Sequence, residues 1–207
     1  MTSLVVATRN PGKVREIQEI LAGYPELENV GLAALGIEET PEEDALEVFE
    51  TFEENALAKA RYFARLTGHL TLADDSGICV DALGGAPGVR SRRFAPGPEL
   101  RGAEQDQANN THLLQQLAGI PEAGRGARYV CAAALAGGDQ EEAVFLGTCD
   151  GVVLEEPRGT RGFGYDPLFY IPSERCTFGE LAPDRKNEIS HRGRAVRQAA
   201  EAVRASG

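Results

Sequence analysis

The sequence predicts an α/β fold: a mixed sheet flanked by helices, with residues 1–207 forming a single domain of two lobes around a central cleft. Three observations lead there. Strand-like and helix-like segments alternate along the chain, no repeat or low-complexity tract interrupts them, and no linker divides them. A length of 207 residues suits one domain and is tight for two.

Residues 3–7 form a short apolar run of the buried-strand kind. Asn10-Pro11 then opens a helix. Asn suits the N-cap, and Pro suits the first helical position because its missing N–H would be unpaired there anyway. Val14, Ile17, Ile20 and Leu21 follow at helical spacing, and Gly23 ends the run. Residues 25–50 read as an acidic, loop-rich segment with one short strand near Val30. The clearest helix covers 51–66, with Phe52, Ala56, Ala60 and Phe63 on one face and Gly68 as its stop. Short strands are expected at 70–73 and 78–80, separated by Asp74-Asp75-Ser76-Gly77, and the glycines at 84, 85 and 88 demand a turn. A helix over 104–117 should bury Leu113, Leu114 and Leu117. Strands at 128–136 and 142–147 are joined through Gly137-Gly138-Asp139. Residues 159–172 form a Gly- and aromatic-rich loop, and a last helix covers 191–204.

Composition narrows the function classes. A formal charge of −11 lacks the basic footprint of a general nucleic-acid binder and the basic amphipathic helix of a membrane-surface protein. No run approaches the ~20 apolar residues of a membrane span, and residues 4–7 are too short for a signal core, so a cytoplasmic protein is expected. Cys79, Cys131, Cys149 and Cys176 form no CxxC pair, which argues against zinc and disulfides. Cys131 and Cys149 lie in apolar runs and read as buried thiols. Charge is segregated: residues 25–59 hold eleven acidic side chains and one basic one, Lys59, while 185–204 hold six basic and two acidic. A polyanionic ligand with a cation needs that layout, although two solvated faces would also produce it.

Four segments can carry chemistry. Thr8-Arg9-Asn10-Pro11-Gly12-Lys13 lies between a strand and a helix start, where free N–H groups and the helix dipole attract an anion. It is not a Walker A loop, because Ala7 stands where the first Gly would be. Asp74-Asp75-Ser76-Gly77 sets two carboxylates side by side, which stay ionised only beside a cation or firm hydrogen bonds; Mg²⁺ is the natural partner. Gly162-Phe163-Gly164-Tyr165-Asp166-Pro167 lets backbone approach a planar ligand and offers a ring for stacking, or a plug for the core. Lys186 and Ser190-His191-Arg192-Gly193 put cations and a His at the start of the last helix.

In this order the segments resemble the inosine triphosphate pyrophosphatases, also called XTP/dITP diphosphatases, and the resemblance runs from residue 4 to about 204. It is carried by Thr8-x-Asn10-x-x-Lys13, by Thr51-Phe52-Glu53-Glu54-Asn55-Ala56-x-x-Lys59-Ala60, and by Ala73-Asp74-Asp75-Ser76-Gly77 with the following Gly84-Gly85-Ala86-Pro87-Gly88. The Gly162–Pro167 stretch and Ser190-His191-Arg192-Gly193 complete it. The resemblance implies an elongated fold around a nucleotide cleft, a homodimer, Mg²⁺, and hydrolysis of deaminated purine nucleoside triphosphates to monophosphate and pyrophosphate. It implies Asp75 as the water-activating, metal-binding carboxylate, with Glu47 and Asp74 as further metal ligands. Thr8, Arg9, Asn10, Pro11, Gly12 and Lys13 would hold phosphates, and Ser76 would lie beside the nucleotide. Phe163, Gly164, Tyr165, Asp166, Lys186, His191 and Arg192 would surround base, sugar and phosphates.

The chain departs from the family pattern twice. Glu47 matches the position of a metal-binding Glu, but Phe49 stands where Gly usually follows, which leaves Glu43 and Glu50 as substitutes. Arg90 replaces an aromatic residue after the Gly88 turn. Two other readings compete: a septum-inhibitor-type pyrophosphatase acting on pyrimidine or modified nucleotides, and a nucleotide-binding regulator without turnover. Ser190-His191-Arg192 argues against the first, and the Asp74-Asp75 pair against the second. A nicotinamide oxidoreductase fails because no G-x-G-x-x-G follows the first strand.

Overall fold

A computed structural model describes residues 2–98 and 100–206. Seven strands, β1 (Thr2–Val6), β2 (Leu27–Gly31), β3 (Leu70–Val80), β4 (Gly126–Ala136), β5 (Ala143–Val153), β6 (Phe169–Ile171) and β7 (Cys176–Thr177), follow the order β2-β1-β3-β4-β5-β6-β7. β1 pairs in parallel with β2 and β3, setting Val5 opposite Val30 and Thr71, while β6 pairs antiparallel with β5 and β7. The sheet is therefore mixed. The helices are α1 (Pro11–Leu21), α2 (Phe52–Thr67), α3 (Gly102–Gln116), α4 (Pro183–Ile189) and α5 (His191–Ser206). No helix among the described residues is long and apolar enough to cross a membrane.

The chain forms two compact units. The first runs through Asp75 and adds Cys131–Gly147 and the stretch from Asn187 onward; the second is Ser76–Val130 with Thr148–Lys186. In the first unit, every second strand residue enters one core: Leu4 and Val6, Leu70 and Leu72, then Cys131, Ala133 and Leu135. Side chains on a strand alternate between faces, so these positions share one side of the sheet. α1 covers that side with Ile17, Ile20 and Leu21, and α5 with Ala195, Val196, Ala199, Ala200 and Val203. α2 buries Phe52, Asn55, Ala56, Lys59, Ala60, Phe63 and Ala64 at helical spacing, and Gly68 ends it in the left-handed conformation.

In the second unit Tyr129, Phe169 and Phe178 pack ring against ring, with centroids 4.6 to 5.9 Å apart. Ile78, Val80, Leu113, Leu117 and Leu168 are fully buried, whereas Leu114 is only half-buried.

Two expectations need correcting. Residues 74–77 are not a turn between two strands but the middle of the unbroken β3. Gly77 is glycine for a packing reason: a Cβ there would collide with the Gly88 carbonyl and the Ser91 hydroxyl. That hydroxyl accepts the Ile78 N–H at 2.9 Å and donates to the Gly88 carbonyl at 2.6 Å. Ser91 thus fills the space a side chain would take. β5 also runs on to Val153, past the expected end at 147, and α4 was not anticipated. All four cysteines are thiols rather than disulfides, and Cys131 and Cys149 are buried as expected.

Candidate active site

The site in the first unit follows from strand alternation. Asp74 has the parity of Leu70 and Leu72 and so faces α1 and α5; Asp75 has the opposite parity and faces α2. Adjacent in sequence, the two carboxylates have different neighbours.

On the first face, Asp74 is fully buried and its Oδ2 lies 3.1 Å from Lys13 Nζ and 3.2 Å from Arg192 Nε. Arg192 also donates through Nη1 to Glu16 Oε2 at 2.5 Å, so anions and cations alternate from Glu16 to Lys13. Burial works against the Asp74 charge, but Lys13, Arg192 and Lys59 outweigh it and hold this carboxyl well below the usual range. Cys131, beside Asp74, is pushed up to about 12 by burial and by that carboxylate, which makes it an inert thiol.

On the second face, Lys59 Nζ sits 2.6 Å from Glu47 Oε1, 2.6 Å from the Asp74 carbonyl oxygen and 3.7 Å from Asp75 Oδ1. Asn55 Nδ2 donates to Asp75 Oδ2 at 3.0 Å. Burial raises the Asp75 carboxyl, and Lys59 and Lys13 pull it back without cancelling the rise. A buried carboxyl biased toward holding a proton, beside an ammonium, suits proton transfer.

Whether these residues could hold Mg²⁺ can be judged from the donor set. Glu47 and Asp75 present hard oxygens that already converge on one cation, the Lys59 ammonium. Mg²⁺ is commonly bound by one or two carboxylates, with substrate phosphates and water completing its shell, so the pair fits. Asp74, expected as a third ligand, is turned to the other face and engaged by Lys13 and Arg192. Among the described residues, no cluster of three or more His, Cys, Asp or Glu side chains is arranged for a metal.

The loop before α1 is built as the sequence implied. Asn10 caps the helix, its Oδ1 accepting the Gly12 and Lys13 N–H groups at 2.8 and 3.1 Å, with Pro11 at the first helical position. Those two donors, expected to be free for an anion, are therefore occupied. Thr8 Oγ1 accepts the Asn10 N–H at 3.3 Å. Arg9, expected on phosphate, instead grips Glu43 through both carboxylate oxygens at 2.6 and 2.9 Å and donates to the carbonyls of Ile37 and Glu38. Glu43 thereby leaves the set of substitutes for Glu47.

His191 begins α5 and is buried. Gly193 follows because a Cβ there would strike the Asn187 carbonyl.

In the second unit, Ser76 is half-buried on β3. Asp166 Oδ2 accepts the Phe163 N–H at 2.8 Å and Lys186 Nζ at 2.5 Å. Gly162, at φ +75°, leaves room for that carboxylate. The Lys186 ammonium lies 5.1 Å from the Phe163 ring centroid, and the Phe163 ring is half-buried rather than a core plug. Gly164 is held on both sides by α3, its N–H by Asp106 and its carbonyl by Asn110. Tyr165 is buried and donates to the Ser91 carbonyl at 2.7 Å, a structural role.

Sequence reasoning did not place Lys59, Asn55 or Glu16 among the site residues. A signal existed for two of them. Asn55 and Lys59 are polar residues on the otherwise apolar stripe of α2, where an unpaired polar group would be costly.

A model of the Ham1 family matches residues 4–202. The dITP/XTP pyrophosphatase of Bacillus cereus is 45% identical over 206 residues, covering 98% of this chain and 95% of its own. That of Geobacter sulfurreducens is 47% identical over 197 residues, covering 95% and 94%. Among solved structures, a HAM1 protein from Coxiella burnetii superposes with a TM-score of 0.81 at 36% identity over 98% of both chains. The Staphylococcus aureus Ham1 protein gives 0.82 at 33% identity over 100% of both chains. The chain belongs to the Ham1 family.

Proposed function

We propose that this protein hydrolyses deaminated purine nucleoside triphosphates (inosine and xanthosine triphosphates, ribo or deoxy) to the monophosphate and pyrophosphate. Relatives named dITP/XTP pyrophosphatases match it over nearly their whole length, which supports the reaction class. The observation that carries the reading is the Asp75 environment, a buried carboxyl flanked by Lys59, Asn55 and Glu47. Asp75 is assigned the proton of the attacking water. Lys13 and Lys59 are assigned to the triphosphate charge, and Thr8, Asn10, Pro11 and Gly12 to shaping the loop that carries Lys13. Arg9 is assigned to bracing residues 37–43 rather than to phosphate.

Glu47 and Asp75 would hold Mg²⁺, which when bound would neutralise charge developing on the phosphoryl oxygens. Asp74 orients Lys13 and Arg192 in this reading. Ser76 is assigned to a place beside the nucleotide.

Base choice rests on hydrogen-bonding complementarity. Hypoxanthine and xanthine offer a 6-keto acceptor and a protonated N1, whereas adenine offers the reverse pattern. Sites that pair buried polar groups can reject mismatched analogues by ~10⁴–10⁵-fold, while stacking discriminates little. Phe163 is assigned to stacking, with Gly164 and Tyr165 forming its loop; Asp166, Lys186, His191 and Arg192 are assigned to the polar readout. We further infer one functional domain over 1–207, a homodimer and a cytoplasmic location.

Incubating the protein with inosine, xanthosine, adenosine and guanosine triphosphates, with and without Mg²⁺, tests the reading. Pyrophosphate from the first two, well above ATP and only with divalent metal, is expected. Orthophosphate as the primary product, or ATP turned over as well as inosine triphosphate, overturns it.

A further inference from the structure

Asn55 is buried on α2 and its single amide serves three groups. Oδ1 accepts the Phe49 N–H at 2.9 Å, and Nδ2 donates to the Phe49 carbonyl at 3.3 Å and to Asp75 Oδ2 at 3.0 Å. The amide can be built only one way round. A backbone N–H only donates, so Oδ1 must face Phe49 N, and Nδ2 must then face the carboxylate.

We propose that Asn55 is a positioning residue for the reaction assigned above: it fixes the Asp75 carboxylate and ties to it the backbone segment that carries Glu47. The proposal rests on that assignment of Asp75. With Oδ2 held by Asn55, the remaining oxygen, Oδ1, is the one turned toward Lys59. Phe49 lies two residues beyond Glu47, whose carboxylate Lys59 grips at 2.6 Å. Asn55 and Lys59 stand one helical turn apart on α2, so one helix face holds the 47–49 segment at two points and Asp75 between them. The grip on residue 49 is through its backbone alone, and its side chain is exposed. That explains how Phe49 is accommodated where the family pattern has Gly.

The test uses the full chain and two variants. Asn55→Ala removes all three hydrogen bonds. Asn55→Asp keeps the shape and the acceptor for Phe49 N–H, but loses both donors and sets a charge against Asp75. Partners of this indirect kind are typically worth ~10–100-fold, so kcat for inosine triphosphate should fall by that much, with KM within about threefold of the unmutated value. Asn55→Asp should fall at least as far as Asn55→Ala. Mn²⁺ affinity, titrated with the ion alone, should weaken in Asn55→Ala. In an Asp75→Asn background, Asn55→Ala should cost clearly less than it does alone, because the part of its effect that runs through the carboxylate is already lost.

A kcat within about threefold of the unmutated protein, or full additivity with Asp75→Asn, overturns the proposal. If Asn55→Ala does not fold, Asn55→Asp decides by the same criteria. If the unmutated chain releases no pyrophosphate, the functional reading falls and the clamp is decided by hydrogen exchange on metal-free protein. Faster exchange at 47–50 in Asn55→Asp upholds the clamp, and unchanged exchange refutes it.

Discussion

Asp74 and Asp75 share a peptide bond and the fields of Lys13 and Lys59, yet their contacts differ. Asp74 is enclosed by two cations on helices α1 and α5, and those charges hold it ionised against full burial. Asp75 faces α2, where one ammonium, shared with Glu47, and one neutral amide leave burial dominant. The pleat of a strand thus converts a repulsive pair into two separate environments. One is a chain of alternating charges from Glu16 to Lys13, and the other is a buried carboxyl that the proposed reading assigns to proton transfer. The acidity of each carboxyl here follows from which face of β3 it occupies.

The largest expected effect sharpens this contrast. Asp75→Asn should lower turnover by ~10²–10⁴-fold, the usual range for loss of a general base, and more if a metal ligand goes with it. Its thermal midpoint should stay near that of the unmutated chain, because Asn suits a position whose charge is disfavoured and Lys59 keeps Glu47. Calorimetry alongside steady-state kinetics checks both.

Asp74→Asn should differ by costing stability as well as turnover, since this carboxylate orients Lys13 and Arg192. It removes the carboxylate that Lys13 and buried Arg192 share, and breaking a buried pair costs about 3–5 kcal/mol. A denaturant titration showing Asp74→Asn as stable as Asp75→Asn would dissolve the distinction between the faces.

Arg9→Ala should come next, at about 1–2 kcal/mol, since charge-assisted hydrogen bonds are lost at a partly exposed site. Its signature is local: hydrogen exchange should quicken over 37–43 while β3 keeps its protection.

The smallest effect concerns thiols. Cys131 lies on the Asp74 face and should resist a thiol reagent in the folded protein, whereas the half-buried Cys79 and Cys176 react. Modification of Cys131 at the rate of Cys79 would mean that the Asp74 face opens readily.

Much of this was legible in the sequence. The strand at 3–7, the Asn10-Pro11 cap and the apolar stripe of α2 are local signals, and each formed within a residue of the bounds read. The continuity of β3 was not legible, because Asp and Gly are depleted in strands. What overrides that preference comes from far along the chain: Lys13, Lys59 and Arg192 on the carboxylates, and Ser91 against Gly77. The role of Arg9 was hidden for a similar reason. A basic residue between Thr8 and Asn10 suggests phosphate, and only the folded position of Glu43 shows what it grips. Glu16 needed its partner on α5, 176 residues away, to become visible.

Attack of water on the α-phosphorus, with Asp75 taking its proton, is the claim on which the rest depends. Hydrolysis of inosine triphosphate in ¹⁸O-labelled water, followed by mass analysis of both products, tests it most directly. The label should appear in inosine monophosphate and be absent from pyrophosphate. Label in pyrophosphate, or in released orthophosphate, would place the attack on another phosphorus and contradict the account.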